Sequence, residues 1–172
     1  PTQATQDSMP SGRTHRRIDL IALGALIAVA IFFQSALTRQ FGQDRAFEYC
    51  LVFVGTYLFS TSLLSPDLDL GRSEPTNNWG LFRSVWLPYS ALFKHRGVSH
   101  SPFLGPLVRI LYLAAFIYIL LAFLNTLLDM GWKMSIAELT YFNWAFAVSA
   151  LGGLWVPNLL HILADRLSGK RR

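Results

Sequence analysis

Thiols are nearly absent from this chain, since Cys50 is the single cysteine among 172 residues. One thiol cannot form a disulfide within the chain, and it cannot build a thiolate metal site alone. Cys50 lies inside an apolar stretch, where a free cysteine is typical of a small core residue. Cysteine usage therefore leaves the redox compartment open.

Charge is also scarce. Charged residues make up 15% of the chain and hydrophobic residues 52%, whereas soluble domains carry about 25% charged residues. Four apolar stretches approach or exceed the roughly 20 residues that a helix needs to cross a bilayer. They cover residues 18–37, 46–64, 102–125 and 141–163. The sequence therefore predicts an all-α fold, an integral membrane bundle of four transmembrane helices.

These stretches define a single membrane domain, which we place at residues 11–167. Residues 1–10 are expected to form a disordered tail in which Met9 would make a natural beginning, and residues 168–172 form a basic tail. Arg109, in the third stretch, lies about two turns from the end of its helix, and we expect its side chain to snorkel to the interface.

Lysine and arginine are distributed unevenly between the two sides of the predicted bundle. With four spans, both termini and the loop of residues 65–101 share one side and carry eleven of them, while the opposite loops carry Arg39, Arg45 and Lys133. This asymmetry predicts cytoplasmic termini in a bacterial inner or thylakoid membrane. The net charge of +5 then indicates a lipid bilayer as partner, and no motif for nucleic-acid binding accompanies it.

Five aromatic residues recur in the long loop at spacings of three and four, which places them on one face of a short helix. They are Trp79, Phe82, Trp86, Tyr89 and Phe93. Such a stripe suits an interfacial helix in the headgroup region, and packing against the other helices explains it equally well. Pro88 is expected to kink or split this helix.

All four histidines fall at the predicted cytoplasmic boundary, together with three carboxylates. The candidate metal ligands are His15, Asp67, Asp69, His95, His100, His161 and Asp165. The charge count that set the topology used none of them, so their placement on one side is an independent observation. Two alternatives stay open, because Asp165 could orient His161, four residues before it, without binding metal, and a D-x-D pair is often only a solvated turn.

Imidazole and carboxylate without thiolate favour a divalent ion, with zinc first and manganese or iron as alternatives. Seven candidates exceed four ligands, so either some of them support the direct ligands or the site holds two ions. An ion with an open position lowers the pKa of bound water to about 7. Hydrolysis would follow naturally, although a purely structural metal is equally consistent with these residues.

In their order along the chain, four motifs resemble the YdjM-like family of predicted membrane-bound, metal-dependent hydrolases, and in particular related cyanobacterial-type metal-binding membrane proteins. The motifs are Met9-Pro-Ser-Gly-Arg-Thr-His15, Ser65-Pro-Asp-Leu-Asp69, His95-Arg-Gly-Val-Ser-His-Ser101 and His161 with Asp165. The resemblance implies a multi-span membrane protein whose metal-site positions are His15, Asp67, Asp69, His95, His100 and His161. It implies no substrate.

Three functions remain in competition. A membrane-embedded metal-dependent hydrolase, acting at the cytoplasmic face on a lipid or phosphoester, is the leading hypothesis, and its catalytic residues are unknown. The alternative is a non-enzymatic metal-binding factor that stabilises a membrane complex. Its binding partner would be another membrane protein or a second copy of the chain. A transporter ranks third, because the middles of the spans lack the ionisable groups that a cation pathway needs.

The charge asymmetry generates a topology prediction. Reporter domains fused after Arg172 and inserted within residues 40–44 should report opposite sides of the membrane, because four spans return the chain to its starting side. Protease protection or reporter activity in intact cells measures this. Signals from the same side for both fusions would contradict the number of spans.

Overall fold

The computed structural model describes residues 12–71, 73–93, 97–132 and 143–169. Throughout these ranges the fold is all-α, as predicted, and contains no strand. The α-helices are α1 (Gly12–Phe32), α2 (Gln34–Phe41), α3 (Gln43–Leu63), α4 (Glu74–Asn78), α5 (Trp86–Leu92), α6 (Leu104–Leu127) and α7 (Trp144–Gly169). Short 3₁₀ helices cover Pro66–Asp69, Gly80–Val85 and Val98–His100. Residues 1–11 and 170–172 lie outside the described ranges, so the predicted N-terminal tail and the end of the basic tail are not observed.

Three helical segments are long and apolar enough to cross a membrane, namely Gln43–Asp69, Leu104–Leu127 and Trp144–Leu167. They correspond to the second, third and fourth predicted spans. The first predicted span differs, because α1 and α2 meet at a 67° bend. Counting this bent pair as one span gives the expected four.

The bend occurs where the apolar run ends. Phe33 has φ −91° and ψ 12°, outside the helical range, and separates the two helices. Beyond it, α2 carries Gln34, Arg39 and Gln40 within eight residues. These polar side chains favour the aqueous boundary over hydrocarbon. The sequence predicted a straight span through residues 34–37, but these residues belong to the bent helix α2.

The tightest helix contact joins α3 to α7 through glycine. A Cβ atom at Gly153 would collide with the Thr56 hydroxyl and with the Phe53 carbonyl, and one at Gly152 would lie 3.3 Å from the Phe53 ring. Glycine thus allows the two backbones to approach, as in membrane helix pairs with small residues at their interface. The Ser60 hydroxyl then donates a hydrogen bond to the Leu154 carbonyl at 2.9 Å.

Arg109 does not snorkel to the interface, so that expectation is wrong. Its side chain is buried, with 1% of the residue exposed. The guanidinium donates to the Leu64 carbonyl, to the Gly105 carbonyl at 3.0 Å and to Asn158 Oδ1 at 2.5 Å. Leu64 caps the end of α3, where helical carbonyls lack partners within the helix. Arg109 therefore joins the end of α3 to the first turns of α6 and to α7.

The aromatic segment of the long loop forms three short helices, over Glu74–Asn78, Gly80–Val85 and Trp86–Leu92, instead of one interfacial helix. Trp86 and Tyr89 are buried, while Trp79 and Phe93 pack against the same core. Phe82, the remaining member of the predicted aromatic stripe, is 68% exposed. Packing on the other helices thus explains four of the five aromatics. Pro88 lies in the first turn of α5, where proline is tolerated. The change from the 3₁₀ helix Gly80–Val85 to α5 comes before it, at Trp86.

The close approach of α3 and α7 makes Gly153 sensitive to any side chain. Gly153→Ala should destabilise the protein by about 1–3 kcal/mol, the usual cost of overpacking. Thermal unfolding in detergent measures this as a lower midpoint. Gly24→Ala is the matched control, because nothing lies within 4 Å of its added Cβ, and alanine favours a helix over glycine. Equal midpoints for the two variants would contradict the proposed packing.

Candidate metal centre

Six of the seven predicted ligands come together at one end of the bundle. His15 lies in the first turn of α1, and His161 and Asp165 lie near the end of α7. The 3₁₀ helix Pro66–Asp69 supplies Asp67 and Asp69, and His100 ends the 3₁₀ helix Val98–His100. His95 lies outside the described residues. Segments far apart in the sequence thus deliver imidazoles and carboxylates to one place.

Asp67, His100 and His161 form the first group that could hold an ion. Asp67 Oδ1 lies 3.7 Å from His100 Nε2 and 3.5 Å from His161 Nε2. Both distances exceed the 2.7–3.2 Å typical of a hydrogen bond between nitrogen and oxygen. They approach the separation of roughly 3.3 Å between two ligand atoms on a tetrahedral zinc ion with bonds of about 2.0 Å. The spacing of these three atoms therefore fits an ion between them.

His15, His161 and Asp165 form a second group. His15 Nε2 lies 3.1 Å from Asp165 Oδ1, and His161 Nε2 lies 3.8 Å from Asp165 Oδ2. The rings of His15 and His161 stack with their centroids 4.0 Å apart. The contact between His15 and Asp165 is an ordinary hydrogen-bond distance. This pair can therefore be satisfied without an ion.

The two groups share one atom, because His161 Nε2 faces both Asp67 and Asp165. A neutral imidazole offers one lone pair, so this nitrogen can bind only one ion. Among the described residues this buried nitrogen makes no hydrogen bond. The geometry consequently favours one His161-bound ion, with Asp67 and His100 on one side and the hydrogen-bonded pair of His15 and Asp165 on the other.

Asp69 lies on the Nδ1 side of the His100 ring, opposite the side that faces Asp67. Its carboxylate is fully buried and its Oδ2 lies 3.3 Å from His100 Nδ1, while His100 Nε2 faces Asp67. A carboxylate on the far nitrogen of a histidine ligand fixes the orientation of its ring. Burial lowers the pKa of His100, but the nearby carboxylates of Asp67 and Asp69 outweigh this and raise it to about 9. An incoming cation would therefore displace a proton from His100.

Hydrogen bonds outside the ligand set hold the ligand-bearing turns. The buried Ser99 hydroxyl donates to the Pro66 carbonyl at 2.9 Å and accepts from the Tyr89 hydroxyl at 3.2 Å. This joins the turn of His100 to the turn of Asp67. Gly105 is needed beside it, because a Cβ there would collide with the Ser99 carbonyl.

Sequence reasoning missed the positioning roles of Ser99 and Arg109. An ionisable residue within an apolar span is by itself a signal of an internal partner, and Arg109 carried that signal. The Oγ of the neighbouring Ser101 accepts a hydrogen bond from the Leu104 amide at 3.3 Å. The α6 helix begins at Leu104, two residues later than predicted.

A cavity opens beside the metal centre. Its lining includes His15, Asp19, Thr61, Ser65, Asp67 and His161. At its mouth Arg16 Nη1 lies 3.7 Å from Glu74 Oε1, so the positive charge next to His15 is paired. Polar groups and an opening next to His161 and Asp67 are what a small polar ligand of the ion would require.

Comparison with known proteins supports metal binding. The family described as "Uncharacterized metal-binding protein (DUF2227)" matches residues 10–172. An uncharacterized protein of Aquifex aeolicus (strain VF5) is 44% identical over 66 residues, which are 38% of this chain and 47% of that protein. The match thus spans about half the length of this relative. No solved structure matches the chain.

The different positions of His161 and Asp69 predict graded effects on metal affinity. His161→Ala should abolish stoichiometric binding, since its Nε2 is common to both groups of ligands. Asp69→Asn should weaken affinity by roughly 10–100-fold, the usual cost of losing a partner that orients a ligand. Metal analysis and calorimetric titration of purified protein measure both, with the exposed Asp44→Asn as matched control. Unchanged binding in His161→Ala would contradict this centre.

Proposed function

This chain belongs to the family of uncharacterized metal-binding proteins described as DUF2227, and from that premise we propose that it is a membrane-embedded, metal-dependent hydrolase. The observation that carries the proposal is a set of three ligand atoms, from Asp67, His100 and His161, beside a polar cavity. Catalytic zinc sites typically have three protein ligands and keep one position for water or substrate, whereas structural sites are closed.

The ligand types favour zinc, with manganese or iron as alternatives. Two imidazoles and a carboxylate are borderline to hard donors and include no thiolate. His161 Nε2 is buried without a hydrogen bond among the described residues, so an ion would satisfy an atom that otherwise loses hydration. His15 and Asp165 pair with each other beside His161, and Asp69 orients His100. One ion bound through His161 is the arrangement we propose.

Hydrolysis would use water as the nucleophile. A divalent ion in such a site supplies Lewis acidity and lowers the pKa of water to about 7. The buried Ser99 does not compete for this role, because its hydroxyl is held between the Pro66 carbonyl and the Tyr89 hydroxyl. The resemblance to the YdjM-like hydrolases points to the same reaction class.

We place the centre at the cytoplasmic face of a membrane. The described helices include three that are long and apolar enough to cross a bilayer, and the bent pair of α1 and α2 can supply a fourth. The ligands lie where these helices end, on the side that the arginine and lysine count assigns to the cytoplasm. A substrate in the headgroup region, a lipid or another phosphoester, would reach the cavity without crossing the bilayer.

The alternative is a non-enzymatic metal-binding factor of a membrane complex. A specific observation favours it, since the candidate ligands come from α1, α7 and two separate 3₁₀ helices. An ion bound to all of them would cross-link the bundle and add its binding free energy to the stability of the fold. A membrane-protein partner or a second copy of the chain would then complete the complex.

Turnover that follows the metal separates the two functions. The purified protein should hydrolyse at least one member of a phosphoester and ester panel, lose the activity with a chelator and regain it with zinc. His161→Ala should remove the activity together with the metal, whereas Asp44→Asn should retain both. Stoichiometric metal without turnover, accompanied by a lower unfolding midpoint after chelation, would favour the assembly factor. A parent protein that holds no metal under several loading conditions would contradict both.

A further inference from the structure

Asp19 is a buried carboxylate that the ligand set described above does not use. It lies one turn after His15 on α1 and is 5% exposed. Its backbone carbonyl accepts a hydrogen bond from the Tyr57 hydroxyl at 2.8 Å. Among the described residues its side-chain Oδ1 is buried and makes no hydrogen bond. The carboxylate is therefore fixed in place while one of its oxygens lacks a partner.

An ionised carboxylate in such a position needs a counter-charge or a proton, because burying an unpaired charge is strongly unfavourable. The neighbouring cationic side chains in the described part of the chain are engaged elsewhere. Arg109 binds Leu64, Gly105 and Asn158, and Arg16 pairs with Glu74. His15 directs its Nε2 to Asp165, and it acts on the Asp19 carboxylate only through its charge when it is protonated.

Two hydroxyls share the cavity wall with this carboxylate. Thr61 and Ser65 line the cavity beside the metal centre. Together with Asp19 they also line a second, neighbouring cavity, which Pro157 and Asn158 border. Thr61 Oγ1 is buried and its hydroxyl lies beside the Asp19 carboxylate. Within the described residues neither Thr61 Oγ1 nor Asp19 Oδ1 makes a hydrogen bond of ordinary geometry. A carboxylate and hydroxyls are all oxygen donors, which favour hard cations such as Mg²⁺ and Mn²⁺.

We propose that Asp19, Thr61 and Ser65 form a second cation site, which takes a hard divalent ion on the inner wall of this cavity. Water completes its coordination, since Mg²⁺ and Mn²⁺ usually keep several waters. Arg16 and Glu74, which are partly exposed, line the same cavity and mark its route to solvent. The ion balances the buried charge of Asp19. This site depends neither on hydrolysis nor on metal binding by His161.

The test uses the full chain in detergent, first saturated with Zn²⁺ and then titrated with Mn²⁺, whose free concentration is followed by electron paramagnetic resonance. The parent protein should bind one Mn²⁺ per chain while its zinc content stays constant, and Mg²⁺ should compete. Asp19→Asn should lower the Mn²⁺ affinity at least about tenfold, as expected for a lost ligand, and should leave zinc unchanged. Asp44→Asn, which changes an exposed aspartate on α3, should bind both ions as the parent does.

Stability provides a second measurement. Mn²⁺ should raise the unfolding midpoint of the parent in proportion to the logarithm of its concentration, and it should not do so in Asp19→Asn. Thr61→Val should lower the Mn²⁺ affinity as well, and it keeps the test decisive if Asp19→Asn does not fold. A zinc-loaded parent that takes up no Mn²⁺, Mn²⁺ uptake that displaces zinc, or unaltered Mn²⁺ binding in both variants would overturn the second site. Asp19 would then carry a proton.

Discussion

The arrangement of the ligand-bearing segments depends on the hydrogen bonds that the buried Arg109 guanidinium donates. A charged group inside an apolar bundle is tolerated only when its donors are satisfied, and Arg109 finds acceptors on three segments. One acceptor, Leu64, directly precedes the turn that carries Asp67, and another, Asn158, lies one turn before His161 on α7. The side chain thus fixes the relative position of the two segments that supply the central ligands.

Close backbone contact supports the same arrangement from the apolar side. The glycine contact between α3 and α7 sets how near these helices lie, and the hydroxyls of Ser60 and Tyr57 bond to carbonyls of neighbouring helices. In a membrane, where lipid provides little hydrophobic drive for helix association, such packing and interhelical hydrogen bonds would carry much of the stability. Rigid helices then allow short 3₁₀ turns to present carboxylates and imidazoles with little freedom.

The amino-acid sequence predicted the elements better than their contacts. Long apolar runs indicated the helices, and the one-sided histidines indicated where ligands could meet, because both depend on composition and order alone. The bend at Phe33 was not predicted, since the first span was drawn through the polar Gln34 and Ser35 as far as Leu37. The burial of Arg109 was predicted wrongly, and the packing of the loop aromatics was left open. A spacing of three and four identifies a helix face, but it does not reveal whether lipid or protein covers that face.

The number of direct ligands links this geometry to function. Five side chains could supply ligands at this centre, namely His161 and its neighbours Asp67, His100, His15 and Asp165. That is one more than a four-coordinate ion requires, and the distances between them separate two groups. His15 and Asp165 lie at 3.1 Å and satisfy each other, whereas Asp67 lies 3.5 and 3.7 Å from two imidazole nitrogens. If the hydrogen-bonded pair keeps its contact when metal binds, three protein ligands remain and a fourth position would stay open for water, as in catalytic sites. If His15 and Asp165 turn toward the ion, the site closes and resembles a structural centre. The contact between His15 and Asp165 thus separates the two proposed functions, even though neither residue belongs to the central group of Asp67, His100 and His161.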